Sequence, residues 1–326
     1  MGGSDLLERV LTEADPARTA RDARPDAVAR ATRDRIMRSS APRRRRRTLA
    51  LSVASGLAVA TAAVVLSVSV LLPQGEAVAG GPEPLEFSGG EGISETVETA
   101  QRTLADVSGP AEPIREVRSA SWNFSINGTT GETKVVPELR TVRWNADLSW
   151  HETLVLGEAY DPSDASANLG AEVDSAGGEV IETSVEPGGF DTPVPEPFGD
   201  SRAEVSEALE AFEMPADPTG FEAATALTAV LSTWTLTNAQ ESQLLEIVAD
   251  AEGTEALGST IDRLGRPVSG LRMISEDRRF AQLVLVSLDT GRIVGVETTN
   301  LVENDLVDAG AIMSYTMWDV DEDLVP

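Results

Sequence analysis

Residues 279–300 read RFAQLVLVSLDTGRIVGVETTN, two apolar runs that flank the short sequence Asp289-Thr290-Gly291. Alternating apolar runs around a glycine-containing turn predict a β-hairpin, because glycine readily takes the positive φ that such a turn requires. The preceding stretch, GSTIDRLGRPVSGLRMIS, predicts a second hairpin with its turn at residues 264–267. This part of the chain therefore indicates an antiparallel sheet.

The strand pattern continues on the C-terminal side, and helices precede the hairpins. AIMSYTMWDV, residues 311–320, predicts a last strand with Met313, Tyr315 and Met317 on one face. GFEAATALTAVLSTW has apolar residues at three- and four-residue intervals, which predicts an amphipathic helix. TNAQESQLLEIVADAEG places Thr237 and Gln240 in capping-box positions, which predicts the start of another helix.

Further towards the N-terminus, GISETVETAQRTLADV predicts a helix, and ASWNFSIN, RTVRWN and LSWHETLVL predict strands. Residues 157–220 are rich in glycine, proline and acidic residues, so we expect a loop-rich segment with one strand at residues 179–185. Helices combined with runs of antiparallel strands indicate an α+β fold. Residues 91–326 are therefore predicted to be one α+β domain of antiparallel strands packed with helices.

A long uncharged stretch, Leu49 to Leu72, lies before this domain. A helix rises about 1.5 Å per residue, so this stretch spans about 36 Å, enough to cross a hydrocarbon core of about 30 Å. It is therefore predicted to be one transmembrane helix, followed by a linker at residues 73–90. Five basic residues precede it directly: Arg43, Arg44, Arg45, Arg46 and Arg47.

Basic residues beside a membrane span are retained on the cytoplasmic side. The arginine run is thus a topology signal that predicts a cytoplasmic head, residues 1–48, and an exterior C-terminal domain in a single-pass protein of the bacterial cell membrane. No recognition helix accompanies the arginines, so direct nucleic-acid binding is not expected. A twin-arginine export signal cleaved after Ala79 is an alternative interpretation, but the apolar stretch is long for such a signal.

The charge of the chain is divided between its two parts. The head holds 13 arginines against 7 acidic residues, whereas the remainder holds 13 basic residues against 47 acidic ones. In the head, Leu6, Leu7, Val10 and Leu11 share one face of a predicted short helix. Because so short a helix is marginal alone in water, we expect this face to bind a cytoplasmic partner.

The sequence lacks the common motifs of catalytic, nucleotide-binding and metal-binding sites. The chain has no cysteine and one histidine, His151, and it lacks nucleophile-elbow, phosphate-loop and dinucleotide motifs. Asp161, Asp164 and the acidic residues 319–323 do not follow a calcium-loop pattern, and we interpret them as acidic surface. We therefore expect no catalytic residue, no metal and no cofactor. The five tryptophans are predicted to fill a core rather than to line a pocket.

Several motifs occur in an order that resembles a known family. They are the head LLERVLTEADP, the arginine run before the span, the D-x-x-G-R-P turn in TIDRLGRPVSGLRM, and the strands LVLVSLDTGRIVGVET and AIMSYTMW. The chain is similar in these pieces to actinobacterial single-pass membrane proteins encoded beside extracytoplasmic-function sigma factors. The resemblance implies an anti-sigma or signal-transducing role. Because the head has neither histidine nor cysteine, it cannot use the zinc motif of many anti-sigma factors.

Together these observations predict a membrane-anchored regulatory or sensor protein and not an enzyme. Its partners would be the lipid bilayer and, through the head, a sigma factor. The alternative from another class is a membrane-tethered carrier that binds a lipid or peptide of the cell envelope. The sequence does not determine the oligomeric state.

Overall fold

The computed structural model describes residues 84–90, 92–126, 133–157, 178–303 and 308–320. Within these ranges no helix is long and apolar enough to cross a bilayer. The predicted membrane span, residues 49–72, and the predicted head lie outside the described residues, so both stay predictions.

The described chain alternates between blocks of helices and blocks of strands. The helices are α1 (Ile93–Asp106), α2 (Arg202–Ala211), α3 (Gly220–Leu231) and α4 (Asn238–Asp250). The first block of strands is β1 (Glu116–Ile126), β2 (Thr133–Trp144), β3 (Trp150–Leu156) and β4 (Glu179–Val185). The second is β5 (Thr254–Ile261), β6 (Pro267–Ile274), β7 (Phe280–Ser287), β8 (Ile293–Asn300) and β9 (Ile312–Trp318).

All nine strands form one sheet in the order β4-β3-β2-β1-β9-β8-β7-β6-β5, and every neighbouring pair is antiparallel. The last strand, β9, lies between β1 and β8 and joins the two blocks of strands. The predicted α+β class is confirmed, with a large antiparallel sheet and four helices in the described part of the chain. Both predicted hairpins are present, and Gly265 and Gly291 take positive φ in their turns.

Capping boxes start three of the helices. The side chains of Ser201, Thr219 and Thr237 each accept a hydrogen bond from the backbone N–H three residues later. Helix α2 falls within residues 157–220, where the sequence predicted loops and one strand. It was missed because it is short and its buried side chains are few (Val205, Ala208 and Leu209).

The two faces of the sheet carry different apolar clusters. All four helices contribute to the cluster on one face, the helix face, which contains Trp144, Trp234 and Trp318. The cluster on the other face contains no residue of these helices and is centred on Trp122, Leu139 and Tyr315; we call this the helix-free face. Four of the five tryptophans are buried in these clusters, as predicted, and Trp150 is half-buried against the helix face.

Two arginines at the hairpin turns, Arg266 and Arg292, form ion pairs and hydrogen bonds with other segments of the chain. Arg266, in the D-x-x-G-R-P turn, pairs with Asp262 at 2.8 Å and donates to the carbonyl oxygens of Val294 and Trp318 at 3.0 and 2.6 Å. Arg292, in the following hairpin, pairs with Glu241 of α4 at 2.9 Å. Arg266 therefore links strands within the sheet, and Arg292 links the sheet to α4.

Candidate binding site on the helix-free face

The register of the sheet aligns one row of residues on the helix-free face. Residues that pair directly on antiparallel strands point to the same face, so the pairings between neighbouring strands define the row. From β4 to β5 it consists of Val180, Val155, Leu139, Ala120, Met317, Gly295, Leu285, Gly270 and Gly258. The row contains no charged residue, and four of its members are glycine or alanine.

Side chains from neighbouring segments pack closely against the glycines of this row. A methyl group added at Gly270 would clash with the ring of Phe87, and one at Gly295 would clash with the Met317 sulfur. Phe87 and Leu85 are partly buried against the helix-free cluster. Both belong to residues 73–90, which the sequence predicts to be a linker after the predicted membrane span. Leu85 and Phe87 therefore lie over one end of this face.

Two aromatic rings stack beside the row. The rings of Trp122 and Tyr315 lie 5.8 Å apart with an interplanar angle of 9°. Tyr315 is 1% exposed, yet within the described residues its hydroxyl has no hydrogen-bond partner. The Thr141 hydroxyl, on the same face, is also buried without a partner in the described chain. An unpaired buried polar group costs about 1–3 kcal/mol, so each of these two hydroxyls requires an explanation.

An ion pair between Arg263 and Glu297 lies next to Tyr315. Arg263 Nε and Nη2 donate to the two carboxylate oxygens of Glu297 at 2.6 and 3.1 Å. The guanidinium carbon of Arg263 also lies 5.2 Å from the centre of the Tyr315 ring. Burial raises the pKa of Glu297, and the charge of Arg263 opposes this increase. Burial also raises the pKa of the Tyr315 hydroxyl, which therefore stays protonated and remains a hydrogen-bond donor.

This combination of groups favours a particular kind of ligand. Apolar side chains and small residues accommodate hydrocarbon, and a few placed polar groups fix its orientation. The Tyr315 hydroxyl can donate to an acceptor oxygen, whereas the carboxylate of Glu297 already neutralises Arg263. The face is thus suited to an apolar chain that carries an uncharged acceptor, such as an ester or amide carbonyl.

A second depression lies on the helix side of the sheet. It has a volume of about 510 Å³ and lies between the end of α1, the proline-containing segment after it and the start of α4. Two of its polar side chains are already engaged. The Asn238 amide donates to the carbonyl oxygens of Leu104 and Val107, and the Gln240 amide donates to those of Phe198 and Gly199. Because these two amides are already bonded whereas the Tyr315 hydroxyl is not, we favour the helix-free face.

A buried ion cluster lies between α4 and the central strands. Besides Glu241, Arg292 contacts Asp319 at 3.1 Å and the Asn238 side-chain oxygen at 2.9 Å. The second oxygen of Glu241 accepts the backbone N–H of Ile293 at 3.1 Å. Burial raises the pKa of Glu241 to about 7, against the lowering effect of Arg292. Every oxygen of Glu241 has a protein partner, so the cluster fastens the fold and offers no open position for a ligand.

The structure describes few of the residues that the sequence singled out. The predicted partner face Leu6, Leu7, Val10 and Leu11, the topology signal at residues 43–47 and the span ends Leu49 and Leu72 lie outside the described ranges. His151 contacts Ser184 at 2.9 Å. Across the described ranges, no group of three or more acidic or histidine side chains could hold a metal ion.

Sequence reasoning did not identify the helix-free site. Met313, Tyr315 and Met317 were placed on one face of a strand, but nothing local indicated that this strand would lie beside Trp122. The orphaned hydroxyls and the row of small residues are consequences of pairing between distant segments. The signal available in the sequence was the clustering of glycines in the hairpin strands.

Comparisons with known proteins give no family assignment. No protein-family model matches the chain, and no curated protein sequence matches it. A crystal structure from Vibrio parahaemolyticus, provisionally described as an outer membrane lipoprotein-sorting protein domain, covers 71% of this chain and 96% of its own length at 10% identity and a TM-score of 0.22. A likeness of that strength establishes neither a shared fold nor a shared function.

Proposed function

We propose that the chain is a membrane-anchored envelope protein whose exterior domain binds the acyl chain of a lipid or of a lipid-modified molecule on the helix-free face. The observation that carries this proposal is the buried Tyr315 hydroxyl, which has no hydrogen-bond partner in the described chain and belongs to the apolar cluster of the helix-free face. A ligand carbonyl that accepts its hydrogen bond would remove the cost of leaving it unpaired.

Two further features support the same proposal. The row from Val155 to Gly258 is free of charge, its large side chains are buried, and none of the four described helices packs against it. The linker residues Leu85 and Phe87 pack on this face, so a bound chain would compete with part of the linker. Binding would in that way alter the segment next to the predicted membrane span, which is what a sensor domain requires.

The proposal is tested by identifying what remains bound to the full chain after gentle extraction. The chain is extracted into an amphipathic polymer, purified and examined by native mass spectrometry. We expect about one apolar ligand per chain. Tyr315→Phe should retain it less well, by up to about tenfold in affinity, because one hydrogen bond is lost. Trp318→Phe, a change on the helix face, is the control and should retain it normally.

Two results would contradict this proposal. The first is an intact, folded chain that carries no apolar ligand and takes up none from added lipid. The second is a chain whose ligand is retained equally by the wild type and by Tyr315→Phe but is lost on changing residues of the helix-side depression.

A role for the head is a separate proposal that rests on the sequence. The face formed by Leu6, Leu7, Val10 and Leu11 would bind a sigma factor, as the family resemblance implies. Residues 1–48 used as bait should recover a sigma factor from native lysate, and Leu6→Asp combined with Leu11→Asp should abolish recovery. Recovery of no sigma factor by an intact bait would leave the head with an anchoring role only.

A further inference from the structure

The two edges of the nine-stranded sheet differ in how they are covered. At the β5 edge, the backbone of Ser88 pairs with that of Ser259 through hydrogen bonds of 2.9 and 2.8 Å. At the other edge, no strand of the described chain pairs with the outer side of β4. An unpaired edge is a template for another strand, and native proteins usually protect it.

The register shows which backbone groups of β4 point outward. Gly157 donates to the carbonyl oxygen of Pro137 at 2.8 Å, which fixes the alternation of hydrogen-bonded pairs between β2 and β3. The alternate residues of β3 therefore bond to β4, and their partners there are Glu179, Ile181, Thr183 and Val185. The N–H and C=O groups of the remaining residues, Val180, Glu182 and Ser184, face away from the sheet.

Of the usual protections of an edge strand, β4 has charged side chains, Glu179 and Glu182, but not the others. The strand contains no proline, glycine or lysine, and it pairs with β3 over seven consecutive residues without a bulge. Val180 is 50% exposed and Ile181 is 37% exposed, and these two side chains lie on opposite faces. An added strand could therefore bury apolar surface on both faces while it bonds to the backbone.

Charge indicates the chemistry of the partner. Glu179 and Glu182 lie on the strand, Glu186 follows it, and residues 178–191 contain no basic residue. A second copy of β4 would bring the glutamates of both strands along one seam, and like charges on paired strands are destabilising. An extended segment that alternates basic with apolar residues would instead place its basic side chains on the face of Glu182 and its apolar side chains on the face of Ile181.

We propose that the β4 edge binds an extended, basic segment of another envelope protein as a tenth strand. The backbone of Val180, Glu182 and Ser184 would supply the hydrogen bonds, and the Glu182 carboxylate would select for lysine or arginine on its face of the strand. This contact shares only Val180, at the end of the row of apolar residues, with the helix-free face, and its remaining backbone contacts, Glu182 and Ser184, lie outside that row.

The test uses the full chain in nanodiscs of zwitterionic lipid and a nine-residue synthetic peptide in which lysine and valine alternate. We expect saturable binding by calorimetry and slower hydrogen exchange at the amides of Val180, Glu182 and Ser184. Glu182→Pro removes one outward N–H and leaves the inward pairing intact, since proline is tolerated at such edge positions. It should weaken binding at least tenfold, whereas Glu182→Thr, which keeps the N–H, should weaken it less.

A charge reversal keeps the proposal testable if the proline variant does not fold. Glu182→Lys should weaken binding of the lysine peptide and strengthen binding of the same peptide with glutamate in place of lysine. The proposal is overturned if the lysine peptide does not bind, if Glu182→Pro folds and binds it as tightly as the wild type, or if both peptides bind the wild type equally. Self-association of the chain through β4 would also overturn it, because the edge would then serve a second copy.

Discussion

The hydroxyl oxygen of Tyr315 is the buried polar atom on which the proposed site of the helix-free face depends. The ring of this residue stacks on Trp122 and lies beside Arg263, so the side chain is well packed, but its hydroxyl has no partner in the described chain. Replacing such a group by an apolar one of the same shape is usually neutral or stabilising, because the uncompensated desolvation disappears.

We predict that Tyr315→Phe leaves the ligand-free chain as stable as the wild type or stabilises it by about 1 kcal/mol, while it weakens ligand retention. Urea unfolding of the delipidated chain measures the first effect. A loss of 1 kcal/mol or more on this substitution would show that the hydroxyl has a protein partner after all, and would remove the main support for the site.

Glu241 makes the stability of the fold depend on pH. Its folded pKa is raised by burial to about 7, above the ordinary value of 4.5, so the folded state binds a proton more tightly than the unfolded state. The associated stabilisation is therefore present in full below about pH 4.5 and is lost as the pH rises through 7.

We predict that the free energy of unfolding falls by up to about 3 kcal/mol between pH 4.5 and pH 8 because of this group. Urea unfolding at several pH values measures the change, and Glu241→Gln is the control, since it cannot titrate. If wild type and variant show the same pH dependence over this window, another group is responsible.

At the scale of the elements, the N-terminal turn of helix α4 contributes both a capping box and two side chains that bond to Arg292. Thr237 forms a capping box with Gln240, and the first turn of the helix carries Asn238 and Glu241 to the buried Arg292. The cap thus helps to position Asn238 and Glu241 for their bonds to Arg292.

We predict that Thr237→Ala lowers the free energy of unfolding by about 1 kcal/mol, whereas Thr237→Ser, which keeps the hydroxyl, changes it by a few tenths. Thermal or urea unfolding distinguishes these two variants. Equal effects of both substitutions would assign the loss to the threonine methyl group rather than to the cap.

Local pattern was enough to identify some elements and not others. The hairpins on either side of Gly265 and Gly291 follow from alternation and turn chemistry, and α4 follows from its capping box, because these signals lie within a few residues. The position of β9 between β1 and β8 depends on contacts between segments that are distant in sequence. The site around Trp122 and Tyr315 follows from that pairing, so no local pattern could predict it.

At the scale of the whole molecule, charge and hydropathy predict a basic head, an apolar span and an acidic exterior domain. The exterior placement of residues 73–326 is a prediction from the arginine run. It can be tested cleanly, because the chain contains no cysteine and a single introduced thiol has no competitor.

We predict that a membrane-impermeant maleimide labels Glu186→Cys in intact cells and leaves Ser4→Cys unlabelled until the cells are lysed. Glu186 is exposed in the structure, so reagent access to it is limited only by the membrane. Labelling of Ser4→Cys but not Glu186→Cys in intact cells would reverse the topology, and the proposed envelope ligand would then lose its basis.

The most direct measurement of ligand binding is photo-crosslinking from within an acyl chain. The full chain is reconstituted in nanodiscs that contain a phospholipid with a diazirine near the end of one acyl chain, and crosslinked peptides are mapped by mass spectrometry. We predict crosslinks on β1, β2 and β9 in addition to residues 49–72, and we expect excess unlabelled lipid to suppress those on the strands. Crosslinks confined to residues 49–72 would contradict acyl-chain binding on the helix-free face.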